Sequence, residues 1–62
     1  MQLTLTDAEV AELRDLLRGT LGDLSSEIAD TDNPTYRLAL KDRRIHLQSI
    51  QAQLPAAGES AA

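Results

Sequence analysis

The sequence predicts an all-α fold, an antiparallel two-helix hairpin that dimerises into a four-helix bundle. Three observations carry this expectation. Apolar residues recur at steps of three and four in two long stretches. A capping signal opens each stretch, at Thr6 and at Asn33-Pro34. The connection between the stretches is about four residues, short enough to force antiparallel neighbours.

Composition bounds the answer. At 62 residues the chain holds one small domain. With 42% hydrophobic and 26% charged residues it reads as globular. The absence of cysteine excludes a disulfide framework and Cys-ligated zinc. No apolar run approaches the ~20 residues of a membrane span. Met1 to Leu5 lacks the basic start and long apolar region of a secretory signal. A net charge of −4 and a single aromatic residue, Tyr36, argue against nucleic acid as the main partner.

Residues 1–5 form a lead-in in which leucine and threonine alternate, too briefly to specify a strand. The first helix is expected over about 7–29. Thr6 and Glu9 stand at the two positions of a capping box, and Leu5 and Val10 at those of a hydrophobic staple. Asp7 and Glu9 add negative charge at the positive end of the helix dipole. The apolar stripe is Val10, Leu13, Leu17, Leu21, Leu24 and Ile28, widened by Leu16 and Thr20.

The second helix is expected over about 34–54, with Asn33 as N-cap and Pro34 at the first helical position, where a missing amide costs nothing. Its stripe reads Tyr36, Leu40, Arg43, Leu47, Ile50 and Leu54, a heptad seam with one charged member. Laid antiparallel, Leu24 meets Leu40, Leu21 meets Arg43, Leu17 meets Leu47 and Val10 meets Leu54, while Tyr36 packs back toward Ile28. The first helix is acidic and the second basic, which biases their pairing. Pro55 ends the second helix. The small residues of the tail, 55–62, offer no anchor and are expected to be disordered.

Two helices share one seam and cannot surround a core. A chain below ~70–80 residues rarely draws more than ~3–5 kcal/mol from a single core. The apolar residues also exceed what one seam covers. A homodimer is therefore expected, with an interface of Leu13, Leu16, Thr20 and Leu24 from the first helix and Ala39, Arg43, His46 and Ile50 from the second. Arg43 in that seam needs a partner, and Asp23 and Thr20 lie within a turn of it. Leu38, Ile45 and Ala52, seven apart on the back of the second helix, read as scattered surface residues or as a second contact, one the lead-in leucines of a partner could cover. Gly19 and Gly22 face away from the seam, as a solvent-facing turn or a close-packing small face.

Chemistry is sparse. Asp42, His46 and Ser49 share a helix face, but a catalytic triad needs an oxyanion hole and a pocket that a hairpin does not supply. Glu-x-x-His metal spacing is absent around His46. No catalytic residue, metal or cofactor is expected. The function expected is a protein–protein interaction or scaffold module. The alternative is a small nucleic-acid-associated regulator using Arg37, Lys41 and Arg44 on the basic face of the second helix.

The run from Glu27 to Arg37, followed by Leu40, Leu47 and Ile50, resembles small uncharacterised bacterial proteins of helical-hairpin type, in which an EI…T-N..Y+ turn links two amphipathic helices. The resemblance covers roughly residues 3–54. It implies the hairpin fold and a bacterial cytoplasmic origin, and no established activity.

Overall fold

The computed structural model describes residues 2–55. Met1 and residues 56–62, and with them most of the expected tail, lie outside the described residues. Two helices form: α1, Asp7–Asp30, and α2, Pro34–Gln53. They pack against each other as an antiparallel hairpin. Residues 2–6 are neither helix nor strand.

The local signals set the helix starts. The Glu9 amide donates to Thr6 Oγ1 at 3.1 Å, and the Thr6 amide donates to Glu9 Oε1 at 2.8 Å, which completes the capping box. Asn33 Oδ1 accepts from the amides of Thr35 at 3.0 Å and Tyr36 at 3.1 Å. Pro34 follows in the first turn, where the α2 amides lack helical acceptors. At the other end of α1, Thr31 caps in an extended conformation and its amide donates to the Glu27 carbonyl at 3.0 Å. Its hydroxyl then accepts from the Asn33 amide at 3.2 Å, so one short turn serves two helix ends.

The hairpin measures 46 × 22 × 13 Å. A helix with its side chains is ~10–12 Å across, so the molecule is one helix thick. Only Leu17, Leu24, Ile28 and Leu40 are buried among the described residues. Leu24, Ile28 and Leu40 form a cluster near the turn, with half-buried Leu47 packed on it. The expected meeting of Leu24 with Leu40 is observed.

The phase of α2 departs from expectation. Leu40, Leu47 and Leu54 do face α1, but the positions between them are Arg37, Arg44 and Gln51 rather than Tyr36, Arg43 and Ile50. The predicted seam members Arg43 and Tyr36 are exposed, and Ile50 is 43% exposed. The cause lies at the turn. The last carbonyls of α1 lack helical donors, and α1 has no basic residue in its last turn. Arg37 supplies both needs: its Nε donates to the Ile28 carbonyl at 3.2 Å and its Nη2 to the Thr31 carbonyl. That rotation turns Tyr36 to the surface, where its hydroxyl donates to Glu27 Oε2 at 3.3 Å.

The charge asymmetry does not produce a ladder of ion pairs between the helices. The two ion pairs among the described residues lie within single helices, Arg18 with Asp15 at 3.4 Å and His46 with Asp42 at 3.9 Å. All four side chains are largely exposed, and such pairs contribute ~0–1 kcal/mol.

Candidate interaction surface

A candidate surface for a partner is built from the apolar residues that the seam leaves uncovered. On an α-helix, residues three and four apart share a face. That spacing places Leu13, Leu16, Thr20 and Asp23 along one flank of α1. It places Ala39, Arg43, His46 and Ile50 along one flank of α2. Because the helices are antiparallel, both rows lie on the same side of the hairpin. Leu16 is 66% exposed, and Ile50 is the second large apolar side chain open on that side.

The surface continues toward the open end of the hairpin, away from the turn. There Leu3 and Leu5 of the lead-in, Val10 and Leu13 of α1, and Ile50, Gln53, Leu54 and Pro55 line a groove of about 610 Å³. Leu5 and Val10 are both half-buried, as a hydrophobic staple requires, and Leu3 is left exposed at the rim. The lead-in leucines, expected as one candidate cover for Leu38 and Ile45 of a partner, line a groove of their own chain within the hairpin. Their share in the surface was legible only as the apolar N′ residue before the Thr6 cap.

The eight residues expected at the interface divide unevenly. Leu16, Ala39, Arg43, His46 and Ile50 are exposed on the flank, and Leu13 and Thr20 are half-buried beside them. Leu24 is not available, because it is 4% exposed inside the core against Leu40. Arg43 stands at the surface and not between the helices, so it needs no buried partner.

The register of the hairpin fixes which residues share a level along the flank. Tyr36 meets Glu27 beside the turn through its hydroxyl. Leu40 meets Leu24 and Ile28. Ile50 and Leu54 meet Val10 and Leu13 around the groove. Between these fixed points the helical rise of ~1.5 Å per residue sets Thr20 level with Arg43 and Leu16 level with His46. The flank is thus apolar toward the open end and charged toward the turn, where Asp23, Glu27 and Arg43 lie.

The opposite flank has a different chemistry. It carries Arg14 and Leu21 of α1 with Arg37, Arg44 and Gln51 of α2, all half-buried. Arg14 Nε and Nη2 are buried and meet no acceptor among the described residues. The basic face of α2 is partly consumed by the fold, since Arg37 caps α1 and Arg44 is half-buried in the seam. Of the trio read as a nucleic-acid contact, Lys41 alone is fully at the surface.

On the back of α2, Leu38 is 68% and Ile45 61% exposed, with none of the described residues covering them. Among the described residues no group of three or more His, Cys, Asp or Glu side chains converges as a metal site would require. Among the described residues no helix is long and apolar enough to cross a membrane. Comparison with protein families, with curated proteins and with solved structures returns no match.

Proposed function

We propose that the chain is a homodimeric helical interaction module, two hairpins stacked as a four-helix bundle. The observation that carries this reading is the exposed apolar flank. Leu16 and Ile50 stand open beside the groove of Leu3, Leu13 and Leu54, in a fold one helix thick. Contiguous exposed apolar surface on a soluble chain marks an association site. A second hairpin covers that flank and supplies the second layer that a helical domain needs.

The role is binding or scaffolding rather than catalysis. Asp42 and His46 stand in open solvent and enclose no cavity with Ser49. The turn over 27–37 supports membership among small bacterial helical-hairpin proteins and a cytoplasmic setting. The test is the mass in solution by light scattering, combined with thermal melts over a wide concentration range. A dimer whose melting temperature rises with concentration is expected, because folding and association are linked. A monomer with a concentration-independent melt rejects the reading.

A further inference from the structure

We propose that the second copy docks with its turn at the same end as the first, the two-fold axis running parallel to the helices. In this arrangement α1 of each copy lies against α2 of the other. The proposal rests on the homodimer reading above and adds its geometry and the residues that pair.

A face-to-face symmetric contact requires the two-fold axis to lie in the plane between the copies. For stacked hairpins two directions are natural, along the helices or across them. The order of residues on the flank distinguishes them. From the open end toward the turn, α1 presents Leu13, Leu16, Thr20, Asp23 and Glu27. At the same levels α2 presents Ile50, His46, Arg43, Ala39 and Tyr36, by the contacts that set the register.

With the axis along the helices, equal levels meet. Leu13 faces Ile50 of the second copy, and Leu16 faces its His46. Arg43 of the second copy enters between Thr20 and Asp23, within reach of the Asp23 carboxylate on its long side chain. Each such contact occurs twice by symmetry. Apolar meets apolar at the open end, and opposite charges meet nearer the turn. All touching helices are antiparallel neighbours, so their dipoles also oppose.

With the axis across the helices, α1 meets α1 and the open end meets the turn. Leu13 then faces Asp23, and Glu9, four residues before Leu13 on the same face of α1, faces Glu27. That arrangement desolvates a carboxylate against leucine and sets like charges opposite each other, both unfavourable. The flank is therefore complementary to a second copy in one orientation and mismatched in the other.

The chain contains no cysteine, so single introduced thiols report the orientation directly. Leu16 and His46 are both exposed within the hairpin, so a thiol at either position displaces no core contact. A mixture of Leu16→Cys and His46→Cys chains under mild oxidation is expected to give a covalent dimer containing one of each. A mixture of Leu16→Cys and Thr20→Cys is expected to give none. Preferential linkage of the second mixture, or of neither while the mass stays dimeric, overturns the orientation and leaves the homodimer reading standing. A monomeric mass overturns both.

A charge exchange separates contacts between copies from contacts within one. Asp23→Arg alone and Arg43→Asp alone are each expected to raise the dimer Kd by about fivefold or more, the scale of a partly exposed ion pair made repulsive. Mixing the two variants pairs every charge across the interface while leaving each chain internally mismatched. The mixture is expected to return to within about twofold of the parent Kd, by the same arithmetic. A mixture no tighter than the single variants overturns the Asp23–Arg43 contact.

Discussion

A guanidinium placed over the last carbonyls of a helix acts in two ways: it satisfies acceptors that have no helical donor, and it sets positive charge at the negative end of the dipole. Arg37 does both for α1 from the first turn of α2, through the carbonyls of Ile28 and Thr31. Arg37→Ala is expected to destabilise the hairpin by about 2 kcal/mol, the usual scale for hydrogen bonds to a charged group. Arg37→Lys should recover less than half of that, since an ammonium lacks the fork that reaches two carbonyls. Urea titration at fixed protein concentration measures both, and an unchanged midpoint for Arg37→Ala would remove its role as a cap. Arg14 presents the reverse case. Its side chain is half-buried on the opposite flank while Nε and Nη2 are buried without an acceptor among the described residues. Arg14→Met keeps the stem and removes the unmet donors, so stability should hold or rise by about 1 kcal/mol. A loss of that size in the same titration would show that the guanidinium finds an acceptor in the assembled protein.

At the scale of the elements, Gly19 and Gly22 are weak points of α1 with no compensating contact. A Cβ built at either would meet nothing within 4 Å, which leaves the solvent-facing reading and removes the close-packing one. Gly19→Ala and Gly22→Ala should each stabilise the protein by about 1 kcal/mol, the helix propensity difference. Neither lies on the flank assigned to the second copy, so the mass in solution should stay unchanged. Light scattering beside a thermal melt tests both halves of that expectation. The helix starts were legible because they depend on near neighbours: Thr6 needs Glu9, and Asn33 needs the two amides just beyond Pro34. The phase of α2 was not legible for the same reason in reverse. Leu40, Leu47 and Leu54 fit either seam, and the choice between Tyr36 and Arg37 rested on carbonyls of the other helix. Hydropathy ranks Tyr36 and Ile50 above Arg37 and Gln51, and a capping demand outweighed it. The rotation leaves Ile50 and Arg43 exposed on the flank expected for an interface, while Leu24 lies in the core.

For the whole molecule the governing fact is thickness. A sheet of two helices has no enclosed interior, so among the described residues four side chains carry the burial and other large apolar groups stay open to water. Leu16 tests the proposed dimer best, because within one hairpin it is 66% exposed and only a second copy would bury it. Leu16→Glu brings a carboxylate into that contact, which must then open or protonate the group. The expected outcome is a monomeric mass and loss of helical circular dichroism at low concentration. A stable Leu16→Glu dimer that a charge at Leu38 or Ile45 disrupts would move the interface to the back of α2.

The burial is also lopsided along the hairpin. Leu24, Ile28 and Leu40 cluster beside the turn, with the capping bonds of Asn33 and Arg37 next to them, whereas the far end holds a groove and an exposed Leu3. Every contact at the turn joins residues close in sequence, so little loop-closure entropy opposes its formation. The chain then closes in one direction, from Asn33 outward, and opens in the other. Amide exchange should record that polarity as slow protons around Ile28 and Leu40 and progressively faster ones toward Val10 and Gln53. A second copy docked as proposed would cover the end that opens first, and assembly would then act as a clasp on the free ends of a zipper whose closed end needs none.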